Sequence, residues 1–98
     1  MIKITKAVYI ENYVIALEFS DEKYTHYDFS SLTQKEGSLV EPLKDESYFK
    51  EFFLELGAIC WKNGLELSPH SLYQKSKDAG SLFEANSAAW FYRNDKLC

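Results

Sequence analysis

Arginine is almost missing from this chain. Arg93 is the only one beside ten lysines, and no three basic residues are consecutive. With 15 acidic residues against 11 basic ones the formal charge is −4. Binding a phosphate backbone or an anionic lipid surface rests on clustered cations, which this balance does not supply. It argues against direct nucleic-acid binding and suits a basic or neutral protein partner. Long apolar runs are missing too, since nothing approaches the ~18 residues that span a bilayer. The opening Met1-Ile2-Lys3-Ile4-Thr5 has no signal-peptide core. Cysteine is scarce: Cys60 and Cys98 cannot build a disulfide framework, and they read as reduced thiols of a cytoplasmic protein.

The chemistry-bearing patterns are equally thin. Gly37, Gly57, Gly64 and Gly80 are isolated, so no phosphate-cradling loop is present. His26, Cys60, His70 and Cys98 match no compact metal-ligand spacing. His26 and Asp28 lie two apart on a strand and share a face, but no nucleophile or oxyanion motif accompanies them. The expectation is a protein without catalysis, cofactor or metal. Asp45, Glu46, Glu51 and Glu55 form an acidic helix face, read either as solvation or as a contact for a basic partner.

Aromatics are abundant: seven Phe, seven Tyr and two Trp make 16% of the chain. Each buries about 150–250 Å², so a few can fill the core of one small domain. Apolar residues alternate through the first thirty positions, the period of half-buried strands. Ile2, Ile4, Val8 and Ile10 fall on one face, and Tyr13, Ile15, Leu17 and Phe19 on one face of the next strand. A Glu11-Asn12 turn would pair Ile10 with Tyr13, Val8 with Ile15 and Ile4 with Phe19. An odd-length loop then brings Tyr27 and Phe29 to the core face and turns His26 and Asp28 away. A short helical turn and a loop through Gly37 follow.

Asp45 is placed to cap a helix over residues 46–56, with Phe49, Phe52, Phe53 and Leu56 as its apolar stripe and Gly57 at its end. A second hairpin turns at Asn63-Gly64, pairing Trp61 with Glu66 and Cys60 with Leu67. That register leaves Ile59 and Trp61 on the far side of the sheet. Ser68 caps, and Pro69 opens, a helix to about residue 76. Beyond Gly80, Ser81 and Glu84 form a capping box for a helical segment with Leu82, Ala85, Ala89 and Tyr92 on one stripe. The expected fold is α+β: one antiparallel sheet of about five strands in the order β-β-β-α-β-β-α, helices on one side, and a C-terminal helical segment. Residues 1–77 form the domain and residues 78–98 the extension.

Phe19-Ser20-Asp21, Tyr27-Asp28-Phe29-Ser30, Pro42-Leu43, Phe49, Trp61-Lys62-Asn63-Gly64-Leu65-Glu66-Leu67-Ser68-Pro69 and Leu72-Tyr73 carry a resemblance. Over residues 2–76 the chain resembles a small bacterial domain, domain-of-unknown-function family 2442. The resemblance implies a compact mixed domain with no established activity or cofactor. Some members carry a helix-turn-helix reader behind it, and others stand beside a second small protein in a toxin–antitoxin-like arrangement. The twenty or so residues after this module are too few for a three-helix DNA reader and lack a basic face. Three readings follow: a regulatory or antitoxin-like module working through a protein partner or a homo-oligomer, a DNA-associated regulator working through a partner or an oligomer, and an unrecognised enzyme. The first is preferred. Ile59, Trp61, Trp90, Phe91 and Tyr92 are its expected contact surface.

Overall fold

Three antiparallel strands open the chain and set the frame. In the computed structural model, which describes residues 1–85, β1 (Ile4–Glu11) pairs with β2 (Val14–Phe19), and β2 with β3 (Lys23–Asp28). The first turn sits one residue later than the pattern suggests. Asn12 and Tyr13 take φ of 50° and 66°, the left-handed pair that a two-residue hairpin with matching twist requires. Ile4 meets Phe19 as expected, but irregularities between Ile4 and Lys6 and between Tyr9 and Glu11 change the parity of β1. Ala7 therefore meets Leu17 and Tyr9 meets Ile15, while Val8, expected in the core, opposes Ala16 on the other face. The odd loop before β3 is present: Glu22 adopts φ of 65° and Ile15 opposes Tyr27.

After Asp28 the chain makes a short helix α1 (Ser30–Thr33), a 3-10 turn (Glu41–Lys44) and a single helical turn α2 (Glu46–Phe49). Asp45 caps α2 by accepting from the Ser47 amide at 3.0 Å. The expected helix over residues 46–56 stops there. Phe53–Glu55 is instead strand β4, paired with β5 (Ala58–Cys60) across a tight turn in which Leu56 and Gly57 take φ of 53° and 84°. Aromatic and aliphatic residues on both sides of a turn-competent glycine favour a hairpin over helix extension. A Cβ on Gly57 would lie 2.6 Å from Lys3 Cβ, and the Gly57 carbonyl accepts from the Ile4 amide at 2.8 Å. This glycine ties the small hairpin to the start of β1.

β5 also pairs with β6 (Glu66–Leu67), with Ile59 opposite Leu67 and Cys60 opposite Glu66. The connection has three residues, not two. The Gly64 amide bonds to the Trp61 carbonyl at 3.0 Å, the Trp61 amide to the Leu65 carbonyl at 2.9 Å, and Gly64 holds φ of 99°. A one-residue slip exchanges the faces of a strand. Ile59 and Trp61 therefore point into the core, opposite to expectation.

Helix α3 (Pro69–Asp78) starts at Ser68, whose hydroxyl accepts from the Ser71 amide at 3.4 Å. Past Gly80 the chain forms β7 (Phe83–Glu84) on the edge of β3, so the expected capping box at Ser81 and Glu84 opens a strand at this point and not a helix. Ala89 and Tyr92 of the expected stripe lie outside the described residues. The fold is α+β with antiparallel pairing, but its strands form two sheets, ordered β1-β2-β3-β7 and β4-β5-β6. The register slip and the β4 hairpin are why a single five-stranded sheet does not form.

One cluster joins the two sheets to the helical segments. Ile4, Ile15, Leu17 and Phe19 come from the larger sheet, Ile59 and Trp61 from the smaller, and Leu43, Phe49 and Leu72 from the helical pieces. Phe49 stands 4.8 Å from Tyr13, 5.8 Å from Phe29 and 5.6 Å from Trp61, ring centre to ring centre. The Trp61 indole N–H donates to the Phe49 carbonyl at 2.8 Å, which satisfies both buried polar groups.

Candidate functional site

The inward rotation of Ile59 and Trp61 withdraws two residues from the expected contact surface. Ile59 is fully buried and Trp61 is 1% exposed, so neither presents the open apolar surface expected of it. Trp90, Phe91 and Tyr92 lie outside the described residues.

The same rotation turns another set outward. On the outer face of the small sheet, Cys60, itself buried, stands between Phe53 on β4 and Glu66 on β6. Phe53 is 43% exposed. A shallow hollow of about 200 Å³ lies here, with Phe53, Cys60, Trp61 and Leu65 in its lining beside Glu55, Glu66 and Lys62. At the hairpin tip Leu56 is 91% exposed in a left-handed conformation. That conformation costs an L-residue with a Cβ roughly 1–2 kcal/mol, and Leu56 recovers almost none of it by burial among the described residues.

The rim of this face is acidic. Glu51 reaches Lys62 at 3.3 Å. Glu55 and Glu66 enter no ion pair among the described residues. Burial, then Glu66 and Glu55, pushes the Cys60 thiol up from its ordinary value. The thiol stays protonated near neutral pH and makes a poor nucleophile.

The acidic helix face expected from Asp45, Glu46, Glu51 and Glu55 is not one surface. Asp45 caps α2, Glu46 accepts from the Tyr9 hydroxyl, Glu51 reaches Lys62, and Glu55 lies on β4. The α2 helix ends at Phe49, before Glu51 and Glu55 could join the stripe. His26 opposes Ala16, away from the core face as expected, and its ring centre is 5.7 Å from Tyr24. Asp28 accepts from the Ser30 amide at 2.9 Å, so this carboxylate shapes the turn into α1. Among the described residues no group of three His, Cys, Asp or Glu could hold a metal, and no helix is long and apolar enough to cross a membrane.

A family model described as protein of unknown function (DUF2442) matches residues 4–78, from the first strand to the end of α3. The chain belongs to this family. The DUF2442 match includes both sheets as far as β6 and the whole of the small-sheet face, and stops before β7. No curated protein and no solved structure matches the chain.

Sequence reasoning assigned Phe53 and Leu56 to a buried helical stripe and so missed this face. A signal was present. Phe52-Phe53-Leu54 and Ala58-Ile59-Cys60 flank Leu56-Gly57 as two short β-prone runs around a turn glycine.

Proposed function

We propose that this DUF2442 domain is a non-catalytic binding module that works through a protein partner, in an antitoxin-like or other regulatory role. The outer face of the small sheet is its contact surface. Leu56 carries the reading: neither its backbone conformation nor burial among the described residues favours a leucine at that tip, whereas a partner burying it would. Phe53 beside it offers a second anchor, and the uncompensated Glu55 and Glu66 favour a basic rim on the other protein.

The test is purification of the tagged full chain at native expression level, beside a Phe53→Ser/Leu56→Asn variant checked for an unchanged fold. A stoichiometric basic protein retained by the wild type, released by salt and lost in the variant supports the proposal. Equal retention by both chains overturns the assignment of the face. A turnover in a substrate screen that His26→Ala abolishes with the fold intact would overturn the non-catalytic reading.

A further inference from the structure

On a different part of the surface, a groove of about 120 Å³ runs between the α1 region and α3. It shares no lining residue with the small-sheet face. Its apolar wall comes from Phe29, Leu32, Leu67 and Leu72. A dry cavity of roughly 150 Å³ encloses one benzene ring, so the groove at about 120 Å³ can cover most of such a ring with one edge left in water.

The polar part of the lining has one sign. Lys35 and Lys75 border the groove, and among the described residues no acidic one does, in a chain where acids outnumber bases 15 to 11. Lys23, Lys44 and Lys62 each hold a carboxylate within 3.3 Å, whereas Lys35 and Lys75, like Lys3, Lys6, Lys50 and Lys77, enter no ion pair among the described residues. The remaining polar lining is hydroxyl: Ser31, Ser68, Ser71 and Tyr27. Burial raises the Tyr27 pKa above its ordinary value, so the phenol stays a neutral donor and does not add a repelling charge. Apolar wall, hydroxyl lining and two cations without carboxylate partners are complementary to one kind of molecule.

We propose that this groove binds a small organic carboxylate bearing a ring-sized apolar group, the ring against Leu32 and Leu72 and the carboxylate toward Lys35 and Lys75. The site is independent of the protein-binding face, so either can fail without the other.

The full ¹⁵N-labelled chain would be titrated with benzoate, with benzamide as its neutral isostere and with acetate as a carboxylate lacking the ring. Saturable benzoate shifts should map to residues 31–35 and 67–75. Benzoate should bind at least about tenfold more tightly than either comparator, a difference of about 1.4 kcal/mol. Lys35→Gln/Lys75→Gln should remove that advantage. Lys35→Gln alone, on an exposed position, should reduce it and serves if the double variant does not fold. Shifts that do not saturate or lie elsewhere, equal binding of benzamide, or wild-type affinity in the folded variants would each overturn the proposal.

Discussion

Replacing Trp61 with phenylalanine should destabilise the domain by about 2–4 kcal/mol. Phenylalanine keeps a ring near Phe49 but removes the indole N–H that reaches the Phe49 carbonyl at 2.8 Å. Phe49 is fully buried, so its carbonyl loses that partner without gaining water. An unsatisfied buried acceptor costs roughly 1–3 kcal/mol. The space left by the smaller ring adds about 1 kcal/mol at roughly 24 cal/mol per Å³. With an urea slope of about 1 kcal/mol/M, the unfolding midpoint should fall by roughly 2 M or more. Circular dichroism is the readout, because the substitution removes a fluorophore. A loss below about 0.5 kcal/mol, the range of a surface change, would refute the reasoning. It would mean that Trp61 faces outward and that the 62–64 loop is a two-residue turn.

Three further outcomes follow from the same geometry. Gly57→Ala should cost more than Gly64→Ala in a denaturant titration. Both sites have positive φ, but only at Gly57 would the new Cβ meet Lys3 at 2.6 Å; equal costs would contradict the packing of the β4 hairpin against β1. Leu56→Asn should stabilise the isolated domain by about 0.5–1 kcal/mol, since asparagine tolerates the left-handed region better, and should weaken partner binding; a destabilised variant would show that Leu56 packs within the chain. Stability should also fall at high pH. Burial and the Glu46 carboxylate raise Tyr9, burial raises Tyr13 and Tyr27, and a hydrogen bond to Asp21 raises Tyr73, all from 10.0. A group raised in the folded state contributes fully below its unfolded pKa and loses that contribution as pH climbs through the folded one. Urea midpoints measured from pH 8 to 11 should begin to decline above about 9, where the unfolded Cys60 thiol ionises, and fall more steeply above 10; a flat profile would contradict it.

The strands at the front of the chain were readable because period two is a strong signal over long runs. Ile15, Leu17, Phe19 and Phe29 reach the core as expected. Their odd connection through residues 20–22 was also legible, since Asp-Glu is poor material for a two-residue turn. Turn placement was harder. At Asn12-Tyr13 and at residues 62–64, the difference of one residue rests on packing that no local pattern encodes. Phe49 needs a ring partner and its carbonyl needs a donor; Trp61 supplies both only from the inside. The Phe49-Phe52-Phe53-Leu56 spacing fits a helix by period, yet short apolar runs leave helix and strand ambiguous. Here pairing with β5 decided the outcome. The candidate face was hidden for that reason, because its residues become neighbours only across the β4-β5 ladder.

The most direct test of the binding-module reading is amide hydrogen exchange of the full chain, alone and saturated with the protein retained in the purification. Partner-induced protection should concentrate on residues 53–60 and be absent from β2, whose amides lie at the centre of the larger sheet. Protection confined to other segments, or a bound protein that leaves residues 53–60 exchanging as in the free chain, would contradict it.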